Sequence, residues 1–269
     1  MKPISETITS RQNPKVKNLL HLQKFRERNR QDLFVVEGIR EIEKALQANY
    51  PVEQVYFHPG LISYEQLTIL FGGSLPEQLF QVSSEVYDKI AYRENSGGVV
   101  AVFHPKQQTV ETLSLSKNPL ILVIEGIEKP GNMGALYRTA DAAGVDAILL
   151  CGSATDPYNP NAIRASLGCV FTVQTVILSV QEAIRWLKEQ KIEIYCTYLQ
   201  AAVTYHTVNF RGPSAIVMGT EATGISEQWL RESTSNIIIP MRGVVDSLNV
   251  STSAAIVIFE ACRQRNFSE

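Results

Sequence analysis

From residue 120 onward the sequence repeats one unit: a short apolar run, a loop bearing glycine, then a stretch with helical spacing. "LILVIEGI" leads into "EKPGNMGALYRTADAAG", and "AILLCG" follows. After the helix-like "SVQEAIRWLKEQ" comes "IEIYCTYL", and "SAIVMGTEATGIS" and "NIIIPMRGVVDSLNV" are two more runs of the same kind. A half-solvated strand alternates polar and apolar residues; these do not. Strands apolar throughout and separated by helices predict a parallel sheet covered on both faces. Such sheets bind ligands at the carboxyl ends of their strands, where the polar clusters of this half all lie.

Three of those clusters stand out. The first is the loop 128–144, which is neither G-x-G-x-x-G nor G-x-x-x-x-G-K-[ST], so dinucleotide and P-loop chemistry are unsupported. Gly131, Asn132 and Gly134 predict a tight strand-to-helix turn, and Arg138, one helical turn after Gly134, can reach back towards it. Taken singly, an arginine in the first turns of a helix is most often just solvated. In the second cluster, "MGTEATGIS", Gly219 and Gly224 permit close backbone approach or positive φ. Glu221 puts a carboxylate at the strand end, although a turn capping a helix near Ser226 would also explain this stretch. The third strand stops at Pro240, which cannot donate a ladder hydrogen bond. Arg242, Asp246, Ser247, Asn249, Ser251, Thr252 and Ser253 then crowd before the last helix or into its first turn. Capping takes one short polar side chain, and loop backbone absorbs some others. The surplus points to a ligand.

The first hundred residues read as a smaller α/β domain. Asn13-Pro14 has the form of an N-cap with proline at the first helical position, and "FVVEG", "VEQVYFH", "QLFQVS" and "GGVVAVFH" are short strands. A polar, proline-flanked stretch at 104–119 marks a linker, giving domains 1–106 and 118–269 joined by 107–117. Net charge is −2, yet residues 1–30 hold eight Lys/Arg against Glu6 and Glu27. Phosphate backbones respond to local basic surface and not to whole-chain charge, although a solvated helix face accounts for such a run equally well. No apolar run approaches the roughly 18 residues of a membrane span, and the N-terminus lacks the apolar core of a signal peptide. Four scattered cysteines and four scattered histidines predict reduced thiols, no metal site and a cytoplasmic protein.

The three loops together resemble the motifs of the SpoU/TrmH branch of the SPOUT RNA 2′-O-ribose methyltransferases. N-x-G-x-x-x-R-x-A reads here from Asn132 to Ala140, G-x-E-x-x-G from Gly219 to Gly224, and I-P-M-x-G-x-x-x-S-L-N-V-S from Ile239 to Ser251. "NAIRASLGCVF" fits a further helix of that family. The N-terminal half is similar, more loosely, to the L30e-like RNA-binding domain preceding the catalytic domain in many members. Departures are small: Thr220 and Ala222 replace the commoner serine and glycine, and "SGG" at 96–98 replaces "QG".

The resemblance implies an α/β fold with a deep trefoil knot in the C-terminal parallel-sheet domain and an L30e-like α/β domain before it. It implies an enzyme that moves a methyl group from S-adenosylmethionine to a ribose 2′-oxygen. The expected RNA is ribosomal, with tRNA, or a non-catalytic RNA-binding role on the same fold, as alternatives. Arg138 is the residue implicated at the reacting ribose, as a perturbed base or as a clamp on the adjacent phosphate, with Asn132, Glu221, Ser247 and Asn249 orienting the site. Gly219, Thr220, Glu221, Gly224, Ile239, Met241, Ser247 and Leu248 are the implied cofactor residues. Lys15, Lys17, Arg26, Arg28, Arg40 and Arg164 are the expected RNA contacts, and a homodimer through the C-terminal domain is the expected assembly.

Overall fold

The computed structural model describes residues 4–91, 97–152, 156–201, 203–220 and 224–267. The chain divides into two compact units, one of Met1–Lys106 with Asp156–Thr172 and one of Gln107–Thr155 with Val173–Glu269.

The first unit runs β1 (Glu6–Ile8), α1 (Pro14–His21), α2 (Phe25–Gln31), β2 (Phe34–Glu37), α3 (Ile39–Gln47), β3 (Val52–Phe57), α4 (Tyr64–Leu70), β4 (Gln78–Val82), α5 (Ser84–Ile90) and β5 (Val99–Phe103). The Asn13 side chain accepts from the Lys15 N–H at 2.9 Å with Pro14 at the first helical position, so α1 begins as its sequence predicts. The strands lie in the order β1-β4-β3-β5-β2, with β5 antiparallel to both its neighbours. Val16 and Leu19 of α1 and Val86 and Tyr87 of α5 cover one face, against Ile8, Tyr56, Phe80 and Val100.

The second unit starts with β6 (Leu120–Glu125), α6 (Pro130–Ala142) and β7 (Ala147–Cys151). The chain then gives α7 (Pro160–Ala165) and α8 (Cys169–Thr172) to the first unit. There Tyr158 stacks on Phe34 with centroids 4.3 Å apart, and Phe171 stacks on the same ring at 5.9 Å. β8 (Thr175–Leu178), α9 (Val180–Glu189), β9 (Glu193–Thr197), β10 (Val203–Thr204), β11 (Ser214–Met218), α10 (Glu227–Glu232), β12 (Ser235–Ile238) and α11 (Val250–Gln264) complete the second unit.

The strand pairs of this second sheet are all parallel, in the order β10-β12-β9-β11-β6-β7-β8. β6, β7 and β11 are buried almost throughout, which is why they carry no polar alternation. Ile121, Val123, Leu149 and Val217 face α9 and Trp229 of α10. The alternate residues point to the other side, where α11 packs against β11 and α6. The segment 107–117, expected as a linker, lies along this unit: Val110, Leu113 and Leu115 pack on its core, and the Ser116 N–H donates to Asp146 at 2.6 Å. Pro130 opens α6, so Gly131, Asn132 and Gly134 are helical and do not form the turn expected of them. The turn is made earlier, at Gly126 with φ +66°.

Candidate active site

The three polar loops all leave the carboxyl ends of their strands and meet there. Gly126, just past β6, lies so close to the second loop that a Cβ on it would sit 2.8 Å from Thr220 Cγ2. Glu125, the last residue of β6, accepts from the Ser226 N–H at 2.8 Å and ties the same two loops together. Within the second loop, Thr220 and Gly224 exchange backbone hydrogen bonds of 3.0 and 3.1 Å. A side chain at Gly219 would collide with the Gly224 carbonyl, and Gly224 itself has φ +68°. Both glycines are therefore required by geometry.

Asn249 resolves part of the polar surplus before α11. Its side-chain oxygen accepts from the Ser251 N–H at 3.0 Å and from the Ser251 hydroxyl at 2.6 Å, capping the helix. Its amide nitrogen donates to Asn132 Oδ1 at 3.1 Å, which joins the third loop to the first turn of α6. The Ser247 hydroxyl donates to Asp246 at 3.2 Å. Residues 242–249 are exposed to solvent.

A cavity of about 320 Å³ opens between the second and third loops. Gly219, Thr220, Gly224, Ile239, Met241, Ser247 and Leu248 all line it. Glu221, expected at both the catalytic and the cofactor site, lies outside the described residues. Asn132, Asn249 and Arg138 do not line the cavity. The two asparagines brace the loops behind it, while Arg138 is exposed on α6 and makes no hydrogen bond or ion pair with a described residue.

Sequence reasoning missed the β9 end. Thr197, Tyr198 and Gln200 form one wall, and Thr197 donates to the Val217 carbonyl at 2.9 Å. The available signal was positional: β9 is a parallel strand whose carboxyl end must open on the same side.

The described lining carries one ionisable carboxylate, Asp246, and no Lys, Arg or His. The Cys151 and Cys196 thiols offer no alternative nucleophile. Burial pushes Cys151 and Cys196 up to about 12, with Glu125 adding to each shift, so both stay protonated near neutrality. Among the described residues no group of three or more His, Cys, Asp or Glu could hold a metal ion.

The basic residues separate by environment. Lys17 and Arg26 are exposed, and Lys15 is half-buried with its ammonium 3.0 Å from Glu6. Arg28 does not belong with them. It is 5% exposed, pairs with Asp156, and donates to the Leu22 and Gln23 carbonyls at 2.9 and 2.7 Å. Its charge is consumed inside the first unit, which removes it from the expected phosphate contacts. Arg40 is exposed, and Arg164 donates to Asn161 at 2.7 Å. Both line a separate cavity of the first unit.

Comparison with known proteins places this geometry. The model of the SpoU rRNA methylase family matches residues 119–259, and that of the MRM3-like substrate binding domain matches residues 13–101. The 23S rRNA (guanosine(2553)-2′-O)-methyltransferase RlmP of Bacillus subtilis is 27% identical, covering 94% of this chain and 97% of that protein. A crystal structure of an RNA 2′-O ribose methyltransferase is 40% identical, covers 97% of this chain and 99% of its own, and superposes with a TM-score of 0.82. An AdoMet-bound rRNA methyltransferase from Sinorhizobium meliloti is 28% identical, covers 96% and 97%, and gives 0.87.

Proposed function

Because this chain belongs to the SpoU rRNA methylase family, we propose that it transfers a methyl group from S-adenosylmethionine to a ribose 2′-oxygen of ribosomal RNA, in the cytoplasm. The observation that carries this reading is the cavity formed by the second and third loops. Its residues fit the cofactor: Met218, Ile237, Ile239 and Leu248 offer an apolar wall for the adenine. Gly219 lets the main chain come close where a side chain would not fit. Thr197, Asp246 and Ser247 place polar groups in the lining.

The bound cofactor would supply a methyl group already activated by a positively charged sulfur. The protein then has to align the 2′-oxygen and help remove its proton. Asn132 and Asn249 hold the first and third loops in one register, which fixes where α6 presents Arg138. The Arg138 side chain either accepts the proton as the neutral guanidine or, as the guanidinium, grips the neighbouring phosphate in a planar fork. The chain turning from β12 back to α11, beside α6, is the path along which a trefoil knot would form.

Incubating the protein with labelled S-adenosylmethionine and a pool of ribosomal RNA and tRNA, then separating the two, should leave the label on 2′-O-methyl nucleosides of the ribosomal RNA after digestion. Label on a base, or on tRNA alone, would overturn the assignment.

The enzyme works as a homodimer through the C-terminal unit. Val244, Val245, Phe259 and Phe267 are exposed there, and pairing through that unit would take them out of water. Light scattering should give a dimer, and a stable 30.0 kDa species at micromolar concentration would count against pairing.

The N-terminal unit binds the RNA. Replacing Lys15, Lys17 and Arg26 with alanine should flatten the dependence of log K on log salt by about 0.7–0.9 for each lost phosphate contact. Arg28→Ala should behave differently. It should lower the unfolding midpoint, by about 3 kcal/mol of stability for a broken buried pair, before any effect on the salt slope can be read.

A further inference from the structure

The cavity of the first unit has a different chemistry from the one at the strand ends. It encloses about 370 Å³, inside the roughly 300–1,000 Å³ of small-ligand sites. Glu37, Arg40, Glu41 and Arg164 line it, over apolar groups that include Leu19 and Ile163. Glu41 is the unusual member. It is 8% exposed and has no hydrogen bond or ion pair with any described residue. Its oxygens are reached by solvent through the cavity, so a ligand entering there meets them as open acceptors.

The backbone holds that carboxylate in place. Gly38 has φ +100°, and a Cβ on it would lie 2.5 Å from Glu41 Oε2. Gly38 is also the N-cap of the nine-residue α3, which places Glu41 in the helix's first turn.

An ionised carboxylate only accepts hydrogen bonds. A base read by it must therefore present adjacent donors. Guanine does, through N1–H and the 2-amino group. Adenine and cytosine set one donor beside an acceptor, and uracil sets one between two acceptors. Arg40 and Arg164 repel a cationic ligand and suit a phosphate or the face of a base.

We propose that this cavity takes the base of an unpaired guanosine in the RNA, with its Watson–Crick edge on the Glu41 carboxylate and its phosphate on Arg40. The proposal rests on the RNA-methyltransferase reading above. It concerns a nucleotide that anchors the RNA on the first unit, not the ribose that receives the methyl group.

The test uses the full chain and fluorescein-labelled single-stranded RNA hexamers of uridine carrying one central guanosine, inosine, adenosine or cytidine, read by anisotropy. The guanosine hexamer should bind about 10-fold more tightly than the adenosine, cytidine and all-uridine ones, as a bidentate base contact gives. Inosine, which lacks the 2-amino group, should fall between. Glu41→Gln should abolish the preference while S-adenosylmethionine affinity, measured by calorimetry, stays unchanged. Should that variant fail to fold, the wild-type series still decides.

Equal affinity for all the hexamers, or a preference that survives Glu41→Gln, overturns the proposal. Free guanosine monophosphate binding as tightly as the hexamer overturns the RNA source. A guanosine preference without methyl transfer to any RNA would leave the pocket standing and remove the enzymatic reading; transfer without the preference would do the reverse.

Discussion

Arg138→Ala protein is expected to bind S-adenosylmethionine as the wild type does and to transfer methyl groups at least about 10²-fold more slowly, the loss typical of a missing acid–base or orienting group. Arg138 lies on the surface of α6, outside the cavity lining, and nothing described in the fold depends on it. Folding and cofactor affinity should therefore survive. Arg138→Lys separates its two roles. Lysine keeps the charge without the planar fork, so a phosphate clamp should retain partial activity with weaker RNA binding. A base should instead move the pH–rate profile to lower pH, since lysine titrates below arginine. Mixing Arg138→Ala protein with a variant unable to bind cofactor adds a further distinction. Activity returns on mixing if one copy's arginine serves its partner's cavity, and stays lost if it serves its own.

Gly219→Ala should have an effect of similar size on a different step. The added methyl would collide with the Gly224 carbonyl, which is backbone and cannot swing aside. The Thr220–Gly224 hydrogen-bonded turn must shift, and with it the cavity wall. A main-chain hydrogen bond left unmade costs about 1–3 kcal/mol, so losing such contacts to the cofactor costs on the order of 10²-fold in affinity. Calorimetry should show S-adenosylmethionine affinity falling by about that factor, with the circular dichroism spectrum unchanged because the strands beneath are untouched. Wild-type affinity in this variant would mean that the second loop does not hold the cofactor.

The parallel sheet was readable because burial on both faces leaves a mark on composition: β6, β7 and β11 are apolar along their length, with Glu125 and Ser214 only at strand ends. The loops were readable because close backbone approach demands glycine, as at Gly219 and Gly224. What escaped had no local signature. Arg28 looks like its basic neighbours until Asp156, distant in sequence, comes to meet it. The β9 wall is ordinary sequence that matters through its neighbours in the sheet. The turn placed at Gly131 belongs to Gly126, because a proline that ends one element can equally begin the next. β1 and β10, of three and two residues, are too short to carry a period at all.

The loan of α7 and α8 to the first unit has a consequence for modularity. The polypeptide passes between the units three times, after Lys106, after Thr155 and after Thr172. No single cut can release an intact N-terminal half. A fragment ending at the first crossing would lose Tyr158 and Phe171 from its aromatic stack and leave Arg28 buried without its counter-ion. Recombination that exchanged only the first hundred residues would have to supply a matching donor segment fifty residues downstream. The two halves are thus constrained to change together, as parts of one gene and not as interchangeable cassettes.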